Sequence, residues 1–274
     1  MSRVFPVLLG AALLVAVAFL ALPVIAIFLR VPPGDLLAQL GEERSREALL
    51  ISLKTSLIAH AVILLVGTPA AYLLANRSFR GRRLVVSLLE LPLVLPPAVA
   101  GLGLFAAFGR SGLLGGELSA LGLELPFTQA AVVLAICFVA SPFYLRSALT
   151  AFESIDPSLP AAARTLGAGP VRVFARVALP LALGGLGAGS TLAFARGLGE
   201  FGATIMFAGS LPGRTQTAPL AIYAAFDDDF DVALALGALL VVVSAALLLA
   251  VKLVPSWTRS SSASTTLFAP SASR

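Results

Sequence analysis

Apolar residues gather into six long runs, at about residues 4–29, 48–75, 84–108, 127–150, 181–209 and 232–254. Each reaches roughly 20 residues or more, which at 1.5 Å per residue lets a helix cross a hydrocarbon core of about 30 Å. The pattern therefore predicts an all-α chain of six transmembrane helices forming one membrane domain over residues 1–254. The first run is far longer than the roughly 7–15 residues of a signal-peptide core, and Pro23 is followed by more apolar residues rather than a cleavage site. It reads as a retained helix. Interior prolines (Pro69, Pro92, Pro96, Pro97, Pro142) are tolerated in membrane helices where neighbours or water satisfy the freed carbonyls. Residues 255–274, rich in Ser, Thr and Ala, read as a disordered tail.

Composition agrees with this pattern. Of 274 residues, 58% are hydrophobic and 12% charged, against about 25% charged in a soluble domain. One cysteine, Cys137, excludes an internal disulfide. The net charge of +5 is a matter of topology rather than nucleic-acid binding. With the N-terminus inside, the segments on the inner side hold twelve Lys and Arg, including Arg77, Arg80, Arg82 and Arg83, and the outer loops hold five. By the positive-inside rule both termini face the cytoplasm.

Several chemistries are excluded. Neither lysine, Lys54 or Lys252, follows a glycine, so no phosphate loop exists and the chain does not hydrolyse ATP by that machinery. The lone His60 lies in an apolar run without Cys or acidic neighbours and reads as a packed side chain. Ser52 and Lys54 are two apart, not the three of an S-x-x-K pattern. Asp227, Asp229 and Asp231 start like a calcium loop, but Val232 and Ala238 stand where its Gly and Glu must be. No enzyme, metal site or bound cofactor is expected.

The longest inner connection, residues 151–180, carries more information. Asp156-Pro157 and Pro160 suit a helix start at Pro160 or Ala161, and Gly167, Gly169 and Pro170 end that helix. A second short helix is predicted from Val171 to about Leu179, with Arg172 and Arg176 on one face. A docking element and a helix resting on headgroups are equally compatible with this pattern. The stretch "AAARTLGAGPVRVFARVALP" resembles the cytoplasmic loop of permease subunits in bacterial ABC importers, E-A-A, three residues, G, nine residues, I-x-L-P. Ala162-Ala163, Gly167 and Leu179-Pro180 match it, Val177 takes the Ile position, and Ala161 replaces the Glu. The resemblance implies the type I importer permease fold and a coupling loop that enters a cleft of a separate ATPase subunit. Its docking residues would be Ala161, Ala162, Ala163, Arg164, Thr165, Leu166, Gly167, Ala168, Gly169, Phe174, Leu179 and Pro180. ATP and Mg would bind that partner and not this chain.

Residues 192–223, with "GEFGAT" and "PGRTQT", resemble the permeases of molybdate importers, with the sulfate and thiosulfate permeases as near relatives. The resemblance implies a homodimer receiving molybdate or tungstate from an external binding protein. Within this stretch Arg196 and Glu200 place two charges in an apolar run, where each costs roughly 2.5–3.5 kcal/mol. On one continuous helix they share a stripe with Thr204 and Phe207, bordered by Gly185-x-x-x-Gly189 for close backbone approach. Arg196, Glu200 and Thr204 are candidates to border a translocation path, with Phe201 and Phe207 as gates. An ion pair that only locks the bundle is the competing reading. A secondary transporter driven by an ion gradient is the alternative class, and it leaves the coupling loop unexplained.

Overall fold

The computed structural model describes residues 4–30 and 32–253. The tail expected at 255–274 lies outside them. The described chain is helical: α1 Val4–Arg30, α2 Pro33–Gly41, α3 Glu43–Asn76, α4 Arg82–Glu90, α5 Pro97–Phe108, α6 Gly115–Ala120 and α7 Gln129–Glu153 come first. Then follow α8 Ser158–Thr165, α9 Pro170–Val173, α10 Leu179–Leu198, α11 Gly202–Ala208, α12 Ala218–Ala225 and α13 Phe230–Leu253. No strand occurs among the described residues.

Among the described residues five helices are long and apolar enough to cross a membrane: Phe5–Arg30, Glu43–Asn76, Gln129–Glu153, Pro170–Leu198 and Phe230–Leu249. The third run, expected as one helix over 84–108, is instead two segments, Arg82–Leu93 and Pro97–Phe108, with a break between them. The cause is Pro96-Pro97. Pro96 sits extended at φ −57°, ψ 132°, because a residue before proline is pushed out of the α region, and Pro97 opens α5.

The fifth run, expected as one helix over 181–209, also breaks. It stops at Leu198, passes Gly199 and Glu200, and restarts as α11. Its other end runs the opposite way to expectation. The helix predicted to end near Leu179 continues from Pro170 through Pro180 into α10. Pro180 offers no N–H to the Arg176 carbonyl, and the chain answers by widening Phe174–Ala178 into a π-turn, with Leu179 N–H donating to the Phe174 carbonyl five residues back.

The chain packs as two compact units. The first takes residues up to Ala59, Pro96–Ile136 and Leu198–Ala246. Small residues dominate one of its cores, where Ala48, Ala221, Ala225, Val232, Ala233 and Leu236 meet, so backbones approach closely. Asp229 Oδ1 accepts the Val232 N–H at 3.2 Å and caps the start of α13.

The second unit takes His60–Leu95, Cys137–Gly197 and the residues from Leu247. Here α10 lies on α7 through glycines. A Cβ on Gly185 would stand 2.5 Å from Ala151 Cβ, and one on Gly189 would stand 2.6 Å from Ser147 Cβ. Polar ties join the same helices: His60 Nε2 and Ser190 Oγ hydrogen-bond at 2.9 Å, and the Thr68 and Tyr144 hydroxyls at 2.5 Å.

Candidate functional site

The residues singled out by sequence lie at two places, the elbow after α7 in the second unit and, Arg196 excepted, the start of α11 in the first. In the second unit α7 ends at Glu153 and the chain turns. Asp156 Oδ1 accepts the Ser158 N–H at 2.9 Å, which starts α8 two residues before the expected Pro160. These hydrogen bonds stabilise the carboxylate and hold the Asp156 pKa below its ordinary value. Ala161, Ala162, Ala163, Arg164 and Thr165 form the body of α8, with Leu166 as its C-cap.

The bend is a Schellman motif. Gly167 takes φ +81°, its N–H donates to the Arg164 carbonyl at 3.0 Å, and the Ala168 N–H donates to the Ala163 carbonyl at 3.0 Å. A side chain at Gly167 would be strained in this left-handed conformation. Gly169 is extended, and Pro170 opens α9.

Phe174 anchors the second arm of the bend. Its ring lies 4.7 Å from Tyr72 and 6.4 Å from Phe152, while Tyr72 and Phe152 are 5.3 Å apart. Val173 beside it is buried. The outer side is the reverse: Leu166 is 87% and Val171 80% exposed, flanking the bend. An open groove of about 490 Å³ runs along Gly169, Pro170, Val171, Arg172, Ala175 and Arg176. Leu179 and Pro180 lie one turn further on, where α10 begins. The elbow thus presents apolar and basic groups outward from a rigid aromatic seat.

In the first unit the break after α10 is organised by Glu200. It is 3% exposed, and its Oε1 accepts the Ala203 N–H at 2.8 Å, satisfying a donor at the start of α11. The continuous stripe expected from Gly189 to Phe207 is therefore overturned. Arg196 closes the last turn of α10 in the second unit, half-buried, while Glu200 belongs to the first.

Thr204 is fully buried, and its Oγ1 has no hydrogen-bond partner among the described residues. Phe207 is fully buried against Phe105 and Phe108, at 6.5 and 6.4 Å between rings. Phe201 is half-buried and tilted on Tyr223 at 5.2 Å. Close approach to α5 rests on glycine again: a Cβ on Gly101 would stand 2.6 Å from Met206 Cβ, and one on Gly202 2.7 Å from Pro97 Cβ.

The loop behind this turn ends in a buried polar segment, Thr215–Thr217, a feature the sequence reading missed. The Leu211 carbonyl accepts the N–H groups of Arg214, Thr215 and Gln216 at 2.9–3.1 Å, and its own N–H donates to Thr215 Oγ1 at 3.0 Å. Gln216 Nε2 donates to Ser210 Oγ at 3.2 Å, and Ser52 Oγ accepts the Ala218 N–H at 2.7 Å. Ser45, Ser52 and Ser56 of α3, with Thr215, Gln216 and Thr217, are all buried. The available signal was the i, i+7, i+11 spacing of those serines, which puts three hydroxyls on one side of an apolar helix.

Residues 63–259 match the family model described as binding-protein-dependent transport system inner membrane component. A molybdenum transport system permease protein ModB of Mycobacterium bovis is 46% identical over 235 residues, covering 86% of this chain and 89% of the relative. ModB of Escherichia coli K12 is 46% identical over 178 residues, covering 65% and 78%. Among solved structures, a bacterial alginate ABC transporter in complex with an alginate pentasaccharide-bound periplasmic protein superposes with TM-score 0.73 at 17% identity, covering 90% of this chain and 92% of that one. That likeness places the fold among the type I importer permeases.

Proposed function

The chain belongs to the family of binding-protein-dependent transport system inner membrane components, and we propose that it is the membrane-spanning permease subunit of an ATP-driven importer of molybdate or tungstate. The observation that carries this reading is the 46% identity to a named molybdenum permease over most of both chains. The chain is a permease subunit and not an ATPase.

The elbow at residues 156–180 is where an ATPase subunit docks in this reading. Leu166 and Val171 supply the exposed apolar contact, and Gly167 supplies the bend between them. ATP and Mg bind that separate subunit, and this chain holds no cofactor of its own. Closure of the ATPase pair reaches the membrane through Pro170–Leu198, which is one unbroken helical stretch. Alternating access follows from the differential affinity of the partners for the two states.

A second copy of this chain completes the transporter. The support is α1, which has no buried residue along its described length and presents apolar side chains all round. Outside, a binding protein delivers the oxyanion. Arg196, Glu200, Phe201, Thr204 and Phe207 border or gate its path. The Lys and Arg distribution supports cytoplasmic termini and an inner-membrane location.

The test is labelled molybdate uptake into proteoliposomes holding this chain, its ATPase and its binding protein, with sulfate and tungstate as competitors. ATP-dependent uptake blocked by tungstate but not sulfate is the expected result. Block by sulfate moves the substrate to the sulfate branch, and uptake indifferent to ATP overturns the coupling. Gly167→Leu should release the ATPase while the membrane part stays folded.

A further inference from the structure

The turn between α3 and α4 reads Arg77-Ser78-Phe79-Arg80-Gly81-Arg82-Arg83, and no carboxylate occurs in the sequence between Glu47 and Glu90. The structure divides these four arginines into two kinds. Arg82 turns inward, where its Nε donates to the Leu74 carbonyl at 2.8 Å and its guanidinium pairs with Glu153. Gly81, at φ +91°, allows the reversal that puts it there.

Arg77, Arg80 and Arg83 remain exposed, and no carboxylate among the described residues pairs with them. Glu90, at the far end of α4, lies 3.8 Å from Arg146. The terminal residues 255–274 contain no Asp or Glu that could neutralise the cluster.

Beside these charges the surface is apolar. No residue of α4 is buried. Leu84, Leu88 and Leu91, at i, i+4 and i+7, form one stripe and are 64%, 58% and 45% exposed, and Phe79 sits among the arginines. The other side of α4 is occupied, since Val86 and Leu89 line a cleft with Leu74, Pro142, Leu145 and Leu149.

A free anion would use the guanidinium groups and leave the leucines unexplained. A membrane-surface phosphate with acyl chains below it uses both. Arginine forks bind phosphate oxygens in bidentate fashion, and basic residues next to a spanning helix draw anionic lipid. We infer that Arg77, Arg80 and Arg83 hold the phosphate headgroup of an anionic phospholipid whose acyl chains lie along Leu84, Leu88 and Leu91. This rests on the reading that the turn lies at the cytoplasmic membrane surface, but it does not depend on the transported ion.

The test is fluorescence anisotropy of NBD-labelled phosphatidylglycerol and phosphatidylcholine titrated with the purified full chain in detergent micelles. Each free arginine near an anionic surface favours binding about fivefold, so the three together favour phosphatidylglycerol about a hundredfold. R77Q/R80Q/R83Q should abolish that preference, R77K/R80K/R83K should keep the part that charge alone supplies and lose the bidentate part, and L84S/L88S should weaken both lipids alike. If the glutamine variant fails to insert, the wild type decides by salt: the preference must fall at least about tenfold between low salt and about 0.5 M NaCl.

Four results would overturn the assignment: no preference in the wild type, a preference unmoved by the glutamine substitutions, a salt-insensitive preference, or displacement of the lipid by millimolar inorganic phosphate. Loss of ATPase co-purification with lipid selectivity intact would assign the arginines to the partner subunit instead. Uptake plays no part in the readout, so failure here and failure of the transport reading are separate results.

Discussion

The contact between α10 and α7 invites a test in which a stabilising substitution becomes destabilising by way of one atom. In an isolated helix Gly→Ala gains about 1 kcal/mol. At Gly185 the new Cβ would stand 2.5 Å from Ala151 Cβ, where two carbons need about 3.5–4.0 Å. The helices must part by roughly 1–1.5 Å, and such overpacking costs about 1–3 kcal/mol. Gly185→Ala alone should therefore be neutral to destabilising by about 2 kcal/mol. The next atoms out, Ala151 Cα at 3.5 Å and the Ser147 carbonyl at 3.8 Å, are at ordinary contact.

Removing Ala151 Cβ should thus remove the clash, and Gly185→Ala should stabilise the Ala151→Gly background by up to about 1 kcal/mol. The sign reverses between backgrounds, with a coupling energy of about 1–3 kcal/mol. Thermal melts of the four purified chains measure it, at roughly 2–4 °C per kcal/mol for a chain of this size. A coupling within the roughly 0.5 kcal/mol scatter of independent sites would refute the packing argument.

Three further outcomes are expected. His60→Leu and Ser190→Ala should show a coupling near 0.6 kcal/mol, the usual worth of a hydrogen bond between membrane helices; additive melts would remove that bond from the account. Glu200→Ala, which strips the acceptor from the Ala203 N–H in a buried site, should cost about 1–3 kcal/mol, and Glu200→Gln should cost less because it keeps an acceptor oxygen. An alanine variant that melts like wild type would contradict it. Asp156 has a depressed pKa in the folded state, so its support for the start of α8 is present above the ordinary carboxylate value and lost as pH falls through the folded value. Protection factors at residues 158–165, hydrogen exchange taken relative to the intrinsic rate at each pH, should fall on acidification, and Asp156→Ala should flatten that fall.

The long apolar runs were legible because membrane solvent imposes a length and leaves little else to read. What they did not convey was continuity. Pro96-Pro97 was visible, yet the same residue type breaks one span and is absorbed in α10 by a π-turn at Phe174–Ala178. The difference lies in whether neighbouring carbonyls find other donors, which a single chain of letters does not state.

Glu200 shows the same loss of continuity. Its spacing from Arg196 was read on one continuous helix, whereas α10 stops at Leu198 and the Glu200 carboxylate accepts the Ala203 N–H at the start of α11. The elbow was legible in outline from Asp156, Gly167 and Pro170, because each acts on the backbone locally. The buried polar segment at 215–218 was not, since its hydrogen bonds run to Ser52 far away in sequence as well as to neighbours.

The π-turn has a mechanical consequence. By absorbing Pro180 within the helix it leaves 29 residues, Pro170–Leu198, as one continuous lever, ~43 Å long at 1.5 Å per residue. Pivoted at the Gly167 bend, such a lever converts a tilt of about 5° into a stroke of roughly 4 Å at its far end. A broken helix would dissipate that stroke at the break, so in the coupling proposed above the extra residue in the turn would act as gearing.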